Sequence, residues 1–496
     1  MKFAMSRWLA VLWMVCGGGV CAPAAAQQVQ GSLIDLINSG RFDFNRLEQQ
    51  AAIANQAVYN ALAPLCDVPA SPGGCSVEQA RLFGNVRELV ETANELLGSG
   101  PTLYSLELDE EGLGFALRWT AAEELAAQSS AGSEFANNQL TSLMSRMTAL
   151  RYGARGFSVV NAPPGARRDD IILAQQGRRS GGGASADAEL SDEPRWGGFI
   201  DGSYGWGDRD PTEVEDAFDF DGMEVTAGVD YRVTPRFVLG AIVGRTQQEI
   251  DFDSRRSVVD GGIESDGYSI IAYGLHEWNG PYLSASLGWQ RLSLDTTRHI
   301  FYPSFNPDVE SIDVTARGST NSTTVSATFN AGWAVNWRAF GAEPYLRAEY
   351  RDMKLDGFGE SSVENSGSAT GQPAGFDFAF GDQDSKSLDT VLGVRVQYAL
   401  TPRFGVIVPY LKFEYHRQLE DDPHAVNATY AGLGSASPSA PFDLVGDEPD
   451  DSFYVVAAGF SLVLAGRWQG FIQYQTVRSM DLLSNDVITG GVRAEF

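Results

Sequence analysis

Long hydrophobic runs are missing from most of this sequence. After residue 26 no segment offers the roughly 20 consecutive apolar residues that a membrane-spanning helix needs. Basic residues are also scarce, since 36 lysines and arginines stand against 64 aspartates and glutamates, and the formal net charge is −28. Nucleic-acid recognition needs a basic surface. The composition therefore argues against that class and predicts no nucleic-acid partner.

Cysteine and histidine are equally rare, with four of each. Two cysteines lie in the first 21 residues, and the other two, Cys66 and Cys75, lie close together around a Pro- and Gly-rich stretch. In an exported chain such a pair most simply forms one disulfide. A metal site there is disfavoured because all four histidines lie beyond residue 275. The sequence predicts no cofactor.

The first residues have the pattern of a secretory signal peptide. Lys2 and Arg7 precede a short apolar stretch, and the small residues at 24–26 suit cleavage. We therefore predict a signal peptide over 1–26. Lipoprotein processing at Cys16 or Cys21 is the alternative, disfavoured because the usual aliphatic and small residues precede neither cysteine.

Composition divides the rest of the chain into three zones. Residues 27–157 show helical periodicity, residues 158–194 form a linker containing Pro, Gly and Arg, and residues 195–496 are Gly- and aromatic-rich and are read as strands throughout. The first zone is predicted to be a small helical bundle with one apolar core rather than a cofactor site.

Local signals within 27–157 place the individual elements. Asn45 is a predicted helix N-cap, and Ser76 with Gln79 forms a capping-box pattern whose helix ends at Gly98. Segments 103–108 and 114–119 are predicted to pair as a short hairpin. A further helix is predicted over 133–152.

Alternation of apolar and polar residues characterises the third zone. The fold class predicted is mainly β: a 12-stranded antiparallel transmembrane β-barrel at the C-terminus, preceded by the small helical segment. Each candidate strand has about ten or more residues, the length that a tilted membrane strand needs. The twelve lie near 195–206, 221–233, 236–252, 266–279, 281–298, 320–337, 342–355, 386–400, 403–418, 451–465, 468–478 and 486–496.

Connections between these strands alternate in length. Tight turns are predicted at Thr234-Pro235, Asn279-Gly280, 338–341, Thr401-Pro402 and 466–467, and longer polar loops lie between them. Transmembrane barrels have short periplasmic turns and longer outer loops, whereas a soluble β-sandwich has no reason to separate loop lengths in this way. An even number of strands places both ends of the barrel on the periplasmic side.

The last strand has one face that steps back in twos from an aromatic terminus. Its residues are Ile488, Gly490, Val492, Ala494 and Phe496. A terminal strand of this kind resembles the signal that the barrel-assembly machinery reads in outer-membrane proteins. The resemblance implies assembly by that machinery.

A twelve-stranded barrel preceded by a linker and an exported segment resembles the β-domain of autotransporters, the type V secretion family. The stretches 117–124 and 146–157 also resemble the segment found just before such barrels. The resemblance implies that the barrel sits among outer-membrane lipid and lipopolysaccharide. It further implies that the barrel, with the Sec translocon, periplasmic chaperones and the assembly machinery, anchors its N-terminal segment and moves it to the cell surface.

Residues 27–157 differ from the long Gly/Asn/Thr-rich repeats usual in such passengers, because they are short, helical and contain cysteine. Two locations therefore stay open. The segment is an exported passenger, or it is a periplasmic domain of a structural or adhesive barrel that uses its surface loops. A diffusive porin-like channel is a third, disfavoured hypothesis.

Arginines concentrate just before the barrel. Residues 131–183 hold seven arginines against Glu134, Asp169 and Asp170, while the chain as a whole is acidic. Our hypothesis is that this basic segment plugs the lumen and pairs with its acids; a solvated linker is the alternative. The candidate plug residues are Arg146, Arg151 and Arg155. The predicted lumen residues are Glu224, Asp230, Glu349, Asp389, Glu495, Arg232, Arg347, Arg351, Arg395 and Arg493.

Acidic loops and scattered histidines carry weaker signals. Carboxylates crowd 208–221 and 447–451, which suits Ca²⁺ or Mg²⁺ but, without a fixed ligand spacing, favours a solvated surface. His299 and His424 are predicted near the outer side, and no Gly-x-Ser-x-Gly or Gly-Asp-Ser motif is present. The sequence thus predicts no enzyme and no catalytic residue.

Overall fold

A computed structural model describes residues 30–67, 74–121, 143–144, 147 and 195–495, with short gaps at 213–214, 253–258, 403–404, 422–424, 437–441, 446–450, 465–467 and 481. The predicted signal peptide and linker lie outside the described residues, as does Phe496. None of the described helices is both long and apolar enough to cross a membrane.

Four helices form the N-terminal domain: α1 (Ser32–Asn38), α2 (Arg46–Cys66), α3 (Val77–Leu97) and α4 (Glu110–Trp119). Complete capping boxes start α2 and α3, at Asn45 with Glu48 and at Ser76 with Gln79. These boxes satisfy amide donors that a helix otherwise leaves unpaired at its first turn. The left-handed Gly98, at φ 68°, ends α3 as predicted.

The helices bury one apolar core. Its members include Leu47, Leu62, Leu82, Val86 and Leu89, each almost fully inaccessible to solvent. A disulfide joins Cys66, the last residue of α2, to Cys75, just before α3, which confirms the predicted bond. The bond ties the C-terminal end of α2 to the residue just before Ser76, the N-cap of α3.

The predicted hairpin over 103–119 is wrong. Residues 110–119 form α4, which begins where the side chain of Asp109 accepts a hydrogen bond of 2.9 Å from the Gly112 amide. Leu113, Ala116 and Leu117 follow the helical spacing and are all buried. Packing of this apolar face outweighs the low helix propensity of two glycines.

The C-terminal zone forms a closed twelve-stranded antiparallel barrel, which confirms the predicted fold class. One barrel strand is interrupted at residue 334 and carries two labels, β6 and β7. The barrel strands are β1 (Trp196–Arg209), β2 (Phe218–Thr234), β3 (Phe237–Phe252), β4 (Asp260–Glu277), β5 (Pro281–Tyr302), β6 (Ile312–Trp333) with β7 (Val335–Trp337), β8 (Phe340–Leu355), β11 (Gln383–Tyr398), β12 (Gly405–Asp421), β15 (Ser452–Leu464), β16 (Trp468–Arg478) and β17 (Leu483–Glu495).

Pairing of the first and last strands closes the barrel, with Gly197 opposite Glu495. Both barrel ends thus lie at the end that carries the tight turns between β2 and β3 and between β4 and β5. The opposite end carries the long connections. This distribution of loops is the one expected of an outer-membrane barrel.

Two long connections predicted as polar loops contain further strands. These are β9 (Phe358–Glu364), β10 (Phe378–Phe380), β13 (Ala425–Tyr430) and β14 (Phe442–Val445), and a 3-10 helix over Ala431–Ala436 follows β13. β9 pairs with the distal half of β6, and β10 joins β9 to β13. The long-loop end therefore carries its own small sheet, built on the ends of barrel strands.

The outer wall of the barrel carries an apolar belt, with an aromatic zone at the turn end. Outward residues such as Val243, Leu287 and Phe329 are more than half exposed, as side chains facing lipid are. The turn end is ringed by exposed aromatic residues, which mark the membrane interface. They include Trp196, Trp278, Trp333, Trp337, Phe340, Tyr398 and Trp468.

Candidate functional site

The barrel lumen is lined by polar and charged side chains. Inward residues alternate with the lipid-facing ones, because successive side chains of a strand point to opposite faces. Glu224, Asp230, Glu349, Asp389, Arg347, Arg395 and Arg493 are all buried in this lining. The side chain of Glu495, also predicted here, lies outside the described residues.

Glu414 on β12 is the centre of a buried ionic network in the lumen. Arg347 donates hydrogen bonds to Glu414, at 2.8 Å, and to Glu349. Lys412 lies 3.1 Å from the other carboxylate oxygen of Glu414, and the hydroxyl of Tyr345 also donates to Glu414. This network spans β8 and β12, two strands that do not pair directly, and braces the lumen across β11.

Further charge pairs lie around the same lumen. Arg351 bonds to Asp389, and Nη2 of Arg493 on β17 lies 3.3 Å from Asp230 on β2. In each buried pair the two opposite charges neutralise each other. Removing one partner is costly because the other charge is then left buried and unpaired, away from bulk water.

Part of the pre-barrel segment lies inside the lumen. Leu143, Met144 and Met147 are helical, and Leu143 and Met147 are almost fully buried within an apolar cluster that includes Tyr273 and Tyr345 of the barrel wall. Sδ of Met144 lies 4.0 Å from Nδ2 of Asn330 on β6. The candidate plug residues Arg146, Arg151 and Arg155 lie outside the described residues.

A cavity of about 80 Å³ lies beside this helical segment, towards the turn end of the barrel. Its lining includes Met144, Met147, Lys412, Glu414 and Gln473. A volume of this size holds a few water molecules. The lumen at this level is therefore largely occupied by side chains of the wall and of the segment.

The alternation of side chains inverts along β5. Near the turn end the outward residues are apolar and the inward ones mainly polar, whereas beyond Gln290 the outward residues are mainly polar and the inward ones mainly apolar. The outward series is Leu283, Ala285, Leu287 and Trp289, followed by Arg291, Ser293 and Asp295. The inward series is Ser284, Ser286 and Gln290, followed by Leu292, Leu294, Ile300 and Tyr302.

The inversion marks the point where the strand leaves the membrane. The 22 residues of β5 extend about 70 Å, far more than the roughly 25 Å apolar band of such barrels, even with the usual tilt. β2, β3, β4 and β6 show the same change, with Phe220, Ile250, Ile263 and Val314 buried on the inward side. We call these distal strand halves, together with β9, β10, β13 and the 3-10 helix, the collar.

The helical domain sits in the collar. Its core is continuous with that of the collar, so that residues such as Leu82 and Leu117 belong to the same buried cluster as Phe220, Tyr302 and Phe378. Two apolar surfaces buried against each other contribute roughly 25 cal/mol per Å² removed from water. Apolar burial is therefore the main term holding the domain in place.

Hydrogen bonds fix the orientation of the domain within the collar. Tyr430 donates to Asn55 of α2 at 3.0 Å, and Nδ2 of Asn55 donates in turn to Thr120. Nδ2 of Asn85 on α3 donates to the Ala374 carbonyl at 2.9 Å. On another side the Phe305 amide donates to the Leu106 carbonyl at 2.8 Å, joining the β5–β6 connection to the loop before α4.

Two ion pairs are buried in or beside this interface. Arg298 and Glu360, both nearly inaccessible, form a two-fold hydrogen bond with 2.8 Å distances that links β5 to β9. Asp216, from the acidic first outer loop, lies 3.4 Å from Arg118 of α4 and accepts a 2.9 Å hydrogen bond from the Val259 amide. The solvated surface expected for that loop is wrong at Asp216, which instead contacts the helical domain.

Two carboxyl groups with raised pKa values, those of Glu88 and Glu364, lie on opposite sides of the interface. Burial raises the pKa of Glu88 on α3 to about 8. The positive charge of Arg87 lowers this pKa, and the negative charge of Glu364 raises it. Burial also raises the pKa of Glu364 on β9 to about 7, against the opposing effect of Arg81. Oε2 of Glu88 is buried and accepts no hydrogen bond within the described parts of the chain. The docked state therefore favours protonated carboxyls here.

The last strand presents the predicted assembly residues to lipid. Ile488 and Val492 are 42% and 49% exposed and point outward with Gly490 and Ala494, whereas Thr489 and Arg493 between them are buried inward. This arrangement agrees with a terminal strand having an apolar outer face. Recognition by the assembly machinery stays a prediction.

The histidines lie apart from one another. His276 packs against Trp278 at the turn end, with ring centroids 4.4 Å apart, and His416 lies beside Glu414 in the lumen. His299 lies between Asp260 and Asp313 on the outer strand ends. His424 lies outside the described residues. No serine is bonded to any of the three described histidines, and no group of metal-ligating residues occurs in the described parts of the chain.

Sequence reasoning missed Glu343, Lys412 and Glu414 in the lumen and the whole collar. The lumen residues carried a usable signal, because Lys412 and Glu414 alternate with the lipid-facing Leu411 and Phe413. The collar also had a signal, the inverted alternation after residue 290, but no local feature shows what its apolar side covers.

A closed barrel with an apolar belt and short turns at one end has the features of an outer-membrane β-barrel, and here a helical segment lies in its lumen. The profile of the family described as Autotransporter beta-domain matches residues 198–475, more than half of the sequence. The chain belongs to this family, and its barrel is located in the Gram-negative outer membrane.

Two curated relatives match part of the chain at low sequence identity. Esterase EstA of Pseudomonas aeruginosa and Esterase EstA of Pseudomonas putida are each 23% identical over 275 residues, which is 55% of this chain and 38% of the relative. The chain thus spans less than half the length of these relatives.

Solved structures of similar fold include autotransporter domains. The translocator domain of NalP from Neisseria meningitidis is 16% identical, with a TM-score of 0.45, covering 66% of this chain and 97% of that one. The β domain of the Bordetella autotransporter BrkA is 12% identical, with a TM-score of 0.40, covering 61% and 100%. The transport unit of AIDA-I from Escherichia coli is 10% identical, with a TM-score of 0.37, covering 67% and 100%.

Proposed function

We propose that the barrel moves its own N-terminal segment through the outer membrane and then keeps the helical domain on the cell surface, docked in the collar. The observation that carries the proposal is the continuous core that the four helices share with the inward faces of the distal strand halves. These halves lie at the long-loop end, which is the cell exterior in barrels of this type.

The path of the chain supports the same direction of movement. Leu143, Met144 and Met147, which follow the helical domain, contact the lumen wall, and the chain then enters β1 at the turn end. A segment that leaves an outer domain and ends at the periplasmic rim has to pass along the lumen. In this proposal Arg146, Arg151 and Arg155 are the basic residues of that segment and pair with lumen acids.

The interface argues against a periplasmic helical domain. Tyr430, Ala374 and Asp216 all belong to long connections or to the collar, and each contacts the helices. A domain held in the periplasm would leave the inward apolar residues of the collar exposed to water, at a cost of roughly 25 cal/mol per Å².

We infer that the exported domain has no serine–histidine catalytic pair of its own. Catalysis by serine and histidine requires a histidine within hydrogen-bond reach of the nucleophile, and every histidine of this chain lies beyond residue 275. The domain then serves as a surface cap held by its barrel. Export through the Sec translocon, periplasmic chaperones and the assembly machinery belongs to the same proposal.

An epitope insertion tests where the domain lies. Gly40 is exposed, has open space around its Cα and lies in a connection of the helical domain, so a protease-sensitive tag fits there. Gly371, in the long β9–β10 connection, provides the matched surface control, and the Thr234-Pro235 turn provides the periplasmic control.

The Gly40 tag is expected to be labelled and cleaved on intact cells to the same extent as the Gly371 tag. Each tagged chain must first show the heat-dependent shift in electrophoretic mobility of a folded barrel. A Gly40 tag that behaves like the tag at residue 235, accessible only after the outer membrane is opened, would place the domain in the periplasm and refute the proposal.

A further inference from the structure

The outer wall of the barrel carries two arginines at the boundary of its apolar belt. In the register of the sheet, Arg245 of β3 lies opposite Tyr268 of β4, and Tyr268 lies opposite Arg291 of β5. All three point outward and are exposed, and about 10 Å separates the two arginine backbones, because neighbouring strands lie about 4.8 Å apart. We call this set the arginine row.

The height of the arginine row follows from the strands that carry it. Arg245 is the ninth residue of β3 and Arg291 the eleventh of β5, counted from the tight-turn end. A tilted strand crosses the hydrocarbon core in about 9–11 residues. Both side chains therefore reach the level where the outer hydrocarbon ends and the headgroups begin.

The neighbours on each side agree with that level. Towards the turn end lie Val243, Ile270 and Trp289, all exposed to lipid. Tyr268 packs against Trp289 with ring centroids 5.6 Å apart, as aromatic residues do at a membrane interface. On the other side the outward residues become polar at once, beginning with Gln247 and Ser293.

The chemistry of the row suits phosphate. A guanidinium group presents several donors in a plane and binds phosphate oxygens through paired hydrogen bonds. Within the described parts of the chain Arg291 makes no hydrogen bond or ion pair. A charged side chain beside lipid is costly when it has no partner. Arg245 bonds to Asp266 at 2.6 Å, and both of these groups are more than half exposed.

We propose that the arginine row is a binding site for the phosphate groups of lipopolysaccharide, the lipid that occupies the outer leaflet at this height. Arg291 binds directly, and Arg245 exchanges Asp266 for a lipid phosphate when the lipid is present. The inference rests on the outward orientation of the long loops in the proposed function, and it adds a defined lipid contact to it.

Carboxylates bound the site on the side away from the membrane. Glu249, Glu264 and Asp295 point outward beyond the row, each four residues along its strand from Arg245, Tyr268 and Arg291 respectively. They repel phosphate that lies too far out and so confine it to the level of the arginines. This explains why a strongly acidic barrel can still bind an anionic lipid at one position.

The experiment compares purified full-length proteins in detergent. The test variant is R245Q/R291Q, and the matched control is R317Q, an exposed outward arginine of β6. Arg317 lies opposite Thr297, six residues beyond Arg291 and so about 20 Å further along the tilted strand from the membrane. Each protein is titrated with fluorescent lipid A, with its dephosphorylated form and with phosphatidylglycerol, after its heat-dependent mobility shift has shown a folded barrel.

The double variant is expected to bind lipid A about fivefold to tenfold more weakly, the effect of losing two exposed charge pairs. R317Q should bind as the natural sequence does, and D266N should bind more tightly because it frees Arg245. Unchanged binding by R245Q/R291Q overturns the site. Equal binding of the dephosphorylated lipid overturns the phosphate, and an equal loss with phosphatidylglycerol overturns the choice of lipopolysaccharide. Surface labelling of the Gly40 tag would be unaffected by any of these results.

Discussion

The hydroxyl of Tyr430 donates a 3.0 Å hydrogen bond to Oδ1 of Asn55, a residue 375 positions earlier in the chain. Both groups are buried, and Asn55 completes its bonding through Thr120 and the Ala51 carbonyl. One end of this contact belongs to the collar and the other to α2. The bond therefore depends on the helical domain being seated, and reports on it.

Replacing Tyr430 with Phe should weaken the seating of the domain by about 1–3 kcal/mol, because Oδ1 of Asn55 would stay buried without a donor. Limited proteolysis at increasing temperature should cleave the helical domain of Y430F earlier, with the mobility shift of the barrel unchanged. The control is Y398F, which removes the hydroxyl of an exposed tyrosine from the aromatic belt at the turn end of the barrel. Equal cleavage profiles for all three proteins would contradict the contact.

Seating of the domain should also depend on pH. The pKa of Glu88 is raised in the folded protein, from an ordinary value near 4.5 to about 8. A carboxyl raised in this way contributes stability that is complete below pH 4.5 and is lost as pH rises to about 8. Protease resistance of the domain should therefore fall between pH 5 and 9.

The variant E88Q tests this origin of the pH dependence. It cannot ionise, so its domain should stay resistant at pH 9 and show a flatter profile, with Glu364 providing the remaining slope. E78Q changes an exposed glutamate of the same helix and should keep the natural profile. A steep profile in E88Q would assign the effect to other groups.

The disulfide should stabilise the helical domain selectively. A closed loop of about ten residues contributes roughly 2–3 kcal/mol by restricting the unfolded chain. The variant C66A/C75A should lose protease resistance in α2 and α3 at a lower temperature, while the barrel keeps its mobility shift. A reducing agent should reproduce the effect in the natural sequence only. An unchanged domain in C66A/C75A would argue that the bond is dispensable.

Glu414 should be the most sensitive residue of the lumen. E414Q leaves Arg347 with one carboxylate partner and Lys412 without its 3.1 Å contact, and breaking such buried pairs costs about 3–5 kcal/mol. Urea unfolding of the barrel, followed by the mobility shift, should have a lower midpoint in E414Q. E264Q, an exposed outward glutamate, serves as control. Equal midpoints would show that the network is not stabilising.

The lumen segment should obstruct ion flow. Met147 is 2% exposed and packs in a cluster with barrel residues, so M147D places a charge among apolar side chains. Single-channel recordings should show larger or more frequent openings for M147D, and the barrel residues 195–496 alone should conduct most. R146Q/R151Q/R155Q tests the predicted basic plug in the same recordings. Conductance equal to that of the full chain in every variant would refute the plug.

Strand number and turn positions could be predicted because a transmembrane strand leaves a period of two over ten residues, interrupted by turns such as Asn279-Gly280. The collar could not be predicted in the same way. β10 and β14 have three and four residues, too few for a period to show, and they lie in connections with a polar composition. The hairpin over 103–119 failed because Gly112 and Gly114 resemble turn residues, and only packing of α4 shows otherwise.

The charged lining of the lumen could be predicted from the sequence, but the contacts between the helical domain and the collar could not. Arg347, Glu349 and Asp389 follow from strand alternation alone, and Glu414 would have followed from the same rule. The bond between Tyr430 and Asn55 could not, because nothing local to either residue indicates a partner so distant in sequence. Burial of polar groups is visible in a sequence only when the element that covers them is known.

The shared core of the helices and the collar has one more consequence. Covalent continuity between residues 121 and 195 is not what fixes the helices to the barrel, since the cluster that joins Leu82 and Leu117 to Phe220 and Phe378 crosses the interface without using that connection. A nick there would yield a non-covalent heterodimer rather than a shed fragment. Fractions of the culture medium would then lack the domain, and only denaturation would separate the two chains.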